Sequence, residues 1–334
     1  MIKAEDAQFH AADADKPNWA ETNYFGFYSA EANLNVGVYA LFRPNLGIVN
    51  STISINSRRA LTPWEADYND LQSHLPIPEP RNLLDYQLAN GLKVKCLVPN
   101  MVWTIDYDDG QGIEIHVRYD ALMEPFDIHD PDMDPIVAAQ AEEGKFAWGT
   151  AYNGHFDQTG HVVGEISVRG KRYKIDCVST MDHSWGPRPE RGAPNMSWLH
   201  AHFSERFAVH AIFSFDENDG GKALSLSHGY VLQDGKVYGL KSGTGTTVRT
   251  ADRYPEAIQL TLTDSESRRW ELRGEAVTTF PWQCWPNMVA FNTLSKWDCQ
   301  GKVGFGEVMD FFEVPSLTRL NGKPETAAFV TNRG

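Results

Sequence analysis

Residues 162–178 read Val-Val-Gly-Glu-Ile-Ser-Val-Arg-Gly-Lys-Arg-Tyr-Lys-Ile-Asp-Cys-Val and set a pattern that the rest of the chain repeats. Apolar side chains recur at every second position on both sides of Arg169-Gly170-Lys171, which is the period of a strand with one buried face. The central glycine suits a tight turn, because it adopts a positive φ without steric cost. The stretch therefore predicts two antiparallel strands joined as a hairpin.

The same alternation recurs in both halves of the chain, separated by turn signals rich in Gly and Asp. It is clearest in Leu34–Phe42, Gly112–Tyr119 and Phe207–Phe215. A helical period occurs only at Pro63–His74 and, more weakly, at Pro135–Glu143. Many short antiparallel strands of this kind predict an all-β fold of the sandwich or barrel type.

The chain of 334 residues is long for a single unit, so two domains are expected. We predict an N-terminal domain over residues 1–160 and a C-terminal domain over residues 161–334. No Gly-x-Gly-x-x-Gly motif follows a strand and there is no Walker loop, so a nucleotide cofactor has no support.

Charge and composition limit the partners and the location. The formal net charge of −14 disfavours nucleic acid and anionic membranes, which select clustered Lys and Arg. The first residues show no leader pattern, and nowhere do about 18 apolar residues follow one another. We therefore expect a cytoplasmic protein with no membrane span. The four cysteines are widely spaced and predict buried free thiols rather than a zinc knuckle or a disulfide framework.

The heptad Asp182-His183-Ser184-Trp185-Gly186-Pro187-Arg188 is the strongest candidate for the chemical centre. It follows a predicted strand at an apparent turn. Asp182 is predicted to be the general acid or base, since an enclosed carboxyl has a raised pKa. His183 would share the proton work or orient Asp182, and Arg188 would hold a phenolate or carboxylate of the ligand. The structural alternative is a turn carboxylate paired with Arg188.

A second candidate is the pair His200 and His202, with Glu205 and His210 further along the chain. Two histidines at positions i and i+2 of a strand point to the same face, so with a third ligand they could bind a metal. The spacing lacks the upstream glycine of a cupin, and Glu205 falls too early. We therefore favour cavity histidines that hydrogen-bond or relay protons, and predict neither a metal nor another cofactor.

The sequence resembles the lipocalin-like (calycin) family related to carotenoid 1,2-hydratase, also called hydroxyneurosporene synthase, and specifically a bacterial branch with two domains in tandem. The resemblance covers most of the chain, and Met181 departs from it where relatives often carry an Arg. It implies a two-barrel fold, a hydrophobic small-molecule ligand and cofactor-free hydratase, dehydratase or lyase chemistry. The matching residues are Glu21-Thr22-Asn23-Tyr24-Phe25, Gly37-Val38-Tyr39, Arg43-Pro44-Asn45, His155-Phe156-Asp157-Gln158, Gly164, Gly170, Tyr173 and the heptad from Asp182 to Arg188.

A calycin barrel encloses a cavity, and aromatic residues supply its apolar walls. The alternative for each aromatic is an ordinary place in the core. Tyr24, which rests mainly on the family pattern, is a candidate proton donor. Tyr39 is a candidate substrate-binding residue on the same ground. The candidate wall residues are Trp148, Tyr152, Trp185, Trp198, Phe203, Trp282 and Trp285.

These observations predict a lyase of the hydratase or dehydratase type, or one that eliminates at a C–O or C–C bond. It would act by acid–base catalysis on an isoprenoid or on a phenolic compound such as an aryl ether. Two alternatives stay open, namely a carrier of an apolar ligand and a metal-dependent enzyme built on the histidines. Exposed strand edges make a homodimer a further expectation.

Overall fold

The computed structural model describes residues 1–142, 153–189, 191–192 and 195–321. Within these ranges, eleven strands form one open sheet and eight strands form a closed barrel. The prediction of an all-β fold with two lipocalin-like units is confirmed. None of the helices in the described ranges is long and apolar enough to cross a membrane.

The first sheet has the strand order β4-β3-β2-β1-β11-β10-β8-β7-β6-β5, and β9 pairs with β10. Its neighbouring strands are antiparallel. In chain order its strands are β1 Trp19–Ser29, β2 Leu34–Arg43, β3 Ile48–Asn56, β4 Tyr68–Pro76, β5 Asp85–Gln87, β6 Lys93–Val98, β7 Val102–Asp108, β8 Ile113–Ala121, β9 Phe126–Asp127, β10 Gly154–Val168 and β11 Lys171–Pro187.

The barrel is an up-and-down arrangement in which each strand pairs with the next and the last pairs with the first. Its strands are β12 Met196–Ser204, β13 Phe207–Phe215, β14 Ala223–Gln233, β15 Lys236–Arg249, β16 Pro255–Asp264, β17 Arg269–Trp285, β18 Met288–Cys299 and β19 Lys302–Glu313. Helical segments in the described ranges are α1 Pro135–Glu142, α2 Val314–Asn321 and short 3-10 turns at Ala4–Ala7, Pro63–Glu65 and Glu217–Asp219.

The change from sheet to barrel falls later than the division predicted at residues 160 and 161. That position lies inside β10, which pairs with β11 along its whole length. Gly164 also lies within β10 and does not end the strand. Its φ is +151°, and a Cβ atom there would lie 2.1 Å from the carbonyl oxygen of His116. The hydrogen bonds change partners between Pro187 and Met196.

Of three local predictions, one is confirmed and two are wrong. The helix expected at Pro63–His74 is wrong, because only Pro63–Glu65 is helical and the chain then enters β4. The short helix expected at Pro135–Glu143 is confirmed as α1. The heptad from Asp182 does not lie at a turn, since β11 continues to Pro187 and stays paired with β1.

Each unit has its own apolar core. Phe25, Val38 and Ile115 belong to the core of the first sheet, and Leu199 and Val209 belong to the core inside the barrel. Side chains on the opposite faces of these strands form a third cluster, in which residues of β1 and β2 pack against residues of β12, β17 and β19. The two units therefore share a buried interface made from their outward faces.

Candidate functional site

A cavity of about 60 Å³ lies at the interface between the sheet and the barrel. The barrel interior contains an apolar core of its own, and this cavity lies outside the barrel, on the faces where the two units meet. One water needs roughly 10–15 Å³ by this kind of measure, so a water fits there beside a polar substrate group. The lining residues are Thr22, Tyr24, Tyr39, Ile128, His155, Asp182, Ser184, Arg188, Met196, Trp198, Ile212, His228, Trp282, Cys284, Trp285, Met309 and Phe311.

Strand register assembles the sheet side of this site. Tyr39 on β2 faces Tyr24 on β1, which faces Asp182 on β11, which faces Asp157 on β10. Directly paired residues of antiparallel strands project to the same face, so these four side chains form one row across the sheet. A second row, two residues along each strand, contains Thr22, Ser184 and His155.

The barrel side is built in the same way. Four residues on adjacent strands line the cavity, and each pairs with the next across the strands. They are Met309 on β19, Trp198 on β12, Ile212 on β13 and His228 on β14. Since alternate residues of a strand face opposite sides, their neighbours along the chain enter the barrel core instead. The site exists only where these two outward faces meet.

Asp157 is the most heavily coordinated group of the interface. Its Oδ1 accepts a hydrogen bond of 2.8 Å from the indole Nε1 of Trp198. The Nε2 atoms of His155, His210 and His228 lie 3.0, 3.0 and 3.4 Å from its Oδ2. Burial alone would raise the pKa of Asp157, but the neighbouring imidazoles His210 and His155 hold it well below its usual range. Asp157 is therefore an ionised carboxylate in a dry environment.

Asp182 lies beside Asp157 but has the opposite electrostatics. Burial raises the pKa of Asp182 to about 7, and the charges of His155 and Arg188 offset only part of that effect. Its Oδ1 atom has no hydrogen-bond partner in the protein. Arg188, which is buried, donates a hydrogen bond of 2.7 Å to Ser184 Oγ. Asp182 can thus hold a proton near neutral pH and present it to the cavity.

His155 connects the two carboxylates. Although burial favours the neutral imidazole, the charge of Asp157 and its hydrogen bond raise the pKa of His155, and Asp182 adds to the effect. His228 behaves differently, because burial lowers its pKa to about 4 despite the contact with Asp157. The cavity therefore contains one imidazole suited to carrying a proton and one that stays neutral.

Tyr24 forms a second polar unit at the cavity wall. Its hydroxyl donates a hydrogen bond of 2.8 Å to Glu307 Oε2, and Asn35 Nδ2 donates one of 2.7 Å to Glu307 Oε1. Burial raises the pKa of Glu307 to about 7 in spite of these donors, and burial likewise raises the pKa of Tyr24 well above its usual value. This pair can exchange a proton without exposing a full charge.

His200 and His202 lie behind the cavity wall rather than in the lining. His200 Nε2 lies 3.9 Å from Glu307 Oε2, and its ring packs edge-on against Trp198. His202 Nε2 lies 2.9 Å from Thr180 Oγ1. Burial lowers the pKa of His202 to about 3 and that of His200 well below its usual range, so both rings are neutral. Neither touches the space that a ligand would fill.

The other predicted residues fall into three groups. Tyr39, Trp198, Trp282, Trp285 and Arg188 line the cavity, and Trp285 Nε1 donates a hydrogen bond of 3.1 Å to Tyr39 Oη. Trp148 and Tyr152 lie outside the described residues. The remaining three, His183, Trp185 and Phe203, do not line the cavity.

His183 and Trp185 occupy the opposite face of β11 from Asp182 and Ser184, because successive side chains of a strand alternate. His183 Nε2 lies 3.3 Å from Glu21 Oε1, on the side of the first core. Phe203 stacks on Phe207 near the barrel end. This geometry places His183 apart from the cavity, although the sequence predicts that His183 shares the proton work of Asp182 or orients it.

The sequence analysis assigned no role to Asp157, Glu307 and His228, and it named His155 only among the residues that match the family pattern. A usable signal was present in His155-Phe156-Asp157, where a histidine and a carboxylate two residues apart must share a strand face. Glu307 could have been noticed as an acid with apolar neighbours in β19, although Asp310 in the same strand gives the same signal. His228 carries no local signal, because only the pairing of β13 with β14 brings it to the site.

Two clusters among the described residues have three possible metal-ligand atoms within 4.8 Å of one another: His155, Asp157 and His228 in the interface, and His10, Glu21 and His183 in the first unit. Neither contains His200 or His202. In the interface cluster, N–H groups of the imidazoles can face Asp157 directly, so that carboxylate is satisfied without an ion.

An open sheet and a closed barrel that enclose a polar site with aromatic walls define a two-unit, lipocalin-like β protein. The sequence matches the family described as a domain of unknown function, DUF7064, over residues 3–313, and the chain belongs to that family. No curated protein matches it.

Several solved structures align with most of the chain. CghA with Sch210972 aligns at a TM-score of 0.55 with 10% identity, covering 89% of this chain and 89% of CghA. CghA in a second crystal structure aligns at 0.53 with 10% identity, covering 89% and 88%. Kievitone hydratase from Nectria haematococca aligns at 0.49 with 14% identity, covering 89% and 91%. The likeness to CghA shows a shared fold.

Proposed function

We propose that this protein is a cofactor-independent lyase of the hydratase or dehydratase type, acting on a hydrophobic small molecule between its two units. The observation that carries the proposal is the direct pairing of Asp157 with Asp182. Neighbouring carboxylates with pKa values displaced in opposite directions are typical of acid–base sites, because one stays ionised while the other keeps a proton near neutrality.

In the hydration direction, Asp182 gives its proton to one carbon of a polarised C=C bond, and the π electrons form the new C–H bond. A water molecule supplies its lone pair to the other carbon and passes a proton to His155, which Asp157 holds in place. Transfer of that proton from His155 to Asp182 restores the starting state. Dehydration follows the same steps in reverse, so the substrate and product concentrations set the direction.

Tyr24 and Arg188 are proposed to orient the substrate. The Tyr24 hydroxyl, backed by Glu307, can bind a substrate oxygen and exchange a proton with it. The planar guanidinium of Arg188 suits a phenolate or a carbonyl. Their position beside Asp182 would place the polar end of a substrate at the acid and leave its apolar part among the aromatic residues.

The apolar wall supports a substrate of isoprenoid or phenolic type. The cavity wall includes Trp198, Trp282, Trp285, Met196 and Phe311. Of these, Met196, Trp285 and Phe311 are only partly buried. Large aromatic surfaces favour flat or extended apolar groups. The sequence resemblance to the carotenoid 1,2-hydratase family supports the same class of reaction.

The proposal is tested by incubating the protein in H₂¹⁸O with a panel of isoprenoids and phenolic compounds and analysing the products by mass spectrometry. We expect a product that differs from its substrate by one water and carries ¹⁸O when water is added. Asp182→Asn should abolish product formation. Asp176→Asn is the matched control, because Asp176 lies on the same strand but is exposed.

Equal turnover by Asp182→Asn and the wild type would overturn the proposal. A compound that is retained tightly but unchanged by the wild type would indicate a carrier instead. In that case Asp182→Asn would alter retention at most, because no step then needs its proton.

A further inference from the structure

A second polar cluster lies on the far side of the first sheet, away from the proposed catalytic cavity. His10 belongs to the N-terminal segment, Glu21 to β1 and His183 to β11. His10 Nδ1 lies 2.8 Å and His183 Nε2 lies 3.3 Å from the same atom, Glu21 Oε1. Glu21 is fully buried and His183 is 2% exposed, so bulk water does little to screen the charge of the Glu21 carboxylate.

The hydrogen bonds of His183 define which nitrogen carries a proton. His183 Nδ1 lies 2.8 Å from the carbonyl oxygen of Thr22, and a carbonyl can only accept, so Nδ1 must donate. In the neutral imidazole, Nε2 then carries a lone pair that faces the Glu21 carboxylate. Nε2 has no hydrogen-bond partner in the protein. Two electron-rich atoms therefore face each other in a buried site unless a cation or an additional proton lies between them.

His10 repeats this arrangement. Its Nε2 lies 3.2 Å from Asp6 Oδ1, while its Nδ1 faces Glu21. A carboxylate or a carbonyl bound to the far nitrogen is the usual support of a metal-bound histidine, because it fixes the tautomer and orients the ring. Each imidazole of the cluster thus has its outer nitrogen bound to an acceptor and its inner nitrogen directed at one carboxylate.

From this geometry we infer a divalent transition-metal site of the Zn²⁺ class, with His10 Nδ1, Glu21 and His183 Nε2 as ligands. Nitrogen and carboxylate ligands about 2.0–2.1 Å from a tetrahedral Zn²⁺ lie roughly 3.3–3.4 Å apart. The separation of His183 Nε2 from Glu21 Oε1 already has this value. His10 Nδ1 is closer to Glu21 Oε1, at 2.8 Å, but the His10 ring lies at the partly exposed edge of the cluster. A small rotation of this ring would lengthen the distance to the value that the metal requires.

The inferred ion would fasten the N-terminal segment to the sheet behind the proposed cavity. Glu21 and His183 are chain neighbours of Thr22, Asp182 and Ser184, which face the cavity from the opposite side of the same strands. The metal site does not rest on the proposed function, since it depends on the other face of β1 and β11. Its expected role is to hold the register of these two strands.

The test uses the full-length protein stripped with a chelator and then titrated with Zn²⁺ or with Co²⁺ as a visible probe. We expect one ion per chain by elemental analysis after dialysis, a tetrahedral Co²⁺ spectrum and a raised melting temperature on Zn²⁺ addition. His10→Ala should abolish stoichiometric binding. Asp6→Asn should weaken it about 10–100-fold, the usual effect of losing the support of a ligand histidine.

His116→Ala is the matched control, because His116 also contacts a carboxylate, at 2.7 Å from Asp106, but on the exposed surface. It should bind one ion as the wild type does. Undiminished binding by His10→Ala would overturn this assignment and point to another cluster. Absence of stoichiometric metal in the wild type would also overturn it, and would indicate that doubly protonated histidines balance Asp6 and Glu21.

Discussion

Replacement of Asp182 by Asn should lower activity and raise stability at alkaline pH. The unfolded carboxyl has a pKa of about 3.9, whereas burial raises the pKa of Asp182 to about 7 in the folded protein. Between these values the folded chain keeps a proton that the unfolded chain has lost. Stability contributed by this proton is full below pH 4 and is lost as pH rises through 7. The Asn variant does not titrate and lacks this loss.

The size of the effect follows from the shift. About three pKa units correspond to roughly 4 kcal/mol, but Asp182 is partly accessible from the cavity, so about 1–2 kcal/mol is the realistic range. Unfolding entropy of about 2.1 cal/mol/K per residue gives roughly 0.7 kcal/mol/K for the whole chain. The melting temperature of Asp182→Asn should therefore exceed that of the wild type by roughly 1–3 °C at pH 8 and match it at pH 4.

The assay is a pair of thermal unfolding scans at pH 4 and pH 8, combined with turnover of the substrate found by mass spectrometry. Loss of a general acid should lower kcat about 10²–10⁴-fold. The control Asp176→Asn should show no stability gain that grows with pH, because Asp176 is exposed. A melting temperature that is lower for Asp182→Asn at pH 8 would refute the reasoning, since it would mean that the ionised carboxylate stabilises the fold.

Three further substitutions test the rest of the site. Tyr24→Phe should lower kcat about 10²-fold, since it removes the hydroxyl that donates to Glu307; unchanged kinetics would remove Tyr24 from the mechanism. Asp157→Asn should cost about 3–5 kcal/mol in the free energy of unfolding near neutral pH. Because its pKa is depressed, this contribution is present above pH 4 and lost as pH falls further, so the two proteins should converge in acid. Gly26→Ala should destabilise the protein by about 1–3 kcal/mol, because the new Cβ would lie 2.2 Å from Glu307 Oε2; an unchanged melting temperature would contradict the packing of the interface.

The fold could be predicted from the sequence because strand alternation is local. Val162–Val178 forms the predicted hairpin, and Arg169 and Gly170 at its turn both have positive φ. The end of β11 could not be predicted in the same way. Gly186 and Pro187 are usual turn residues, yet Gly186 takes a φ of +128° within the strand, and the pairing with β1 continues. Reading a turn there concealed the alternation that separates Asp182 from His183.

The candidate site could be predicted only in part, because most of it depends on contacts between distant strands. Asp182 and Tyr24 were found because the motif and the family pattern draw attention to them, and both reach the cavity. Asp157 and Glu307 gain their importance from the packing of the sheet on the barrel. That packing joins Tyr24 to a residue 283 positions away, and no local pattern encodes such a distance.

The location of the site between the units bears on whether it is functional or only structural. Apolar contacts can seal an interface, as they do between Phe126 and Leu232 in a fourth buried cluster. Here the interface instead buries Asp157, Asp182 and Glu307 beside several histidines, although burying ionisable groups costs stability unless each is well paired. Asp157 is well paired, but Asp182 Oδ1 has no partner and faces a cavity. An unpaired carboxyl retained at such a cost, next to one that is fully coordinated, is better explained by chemistry on a ligand than by the packing of two β units.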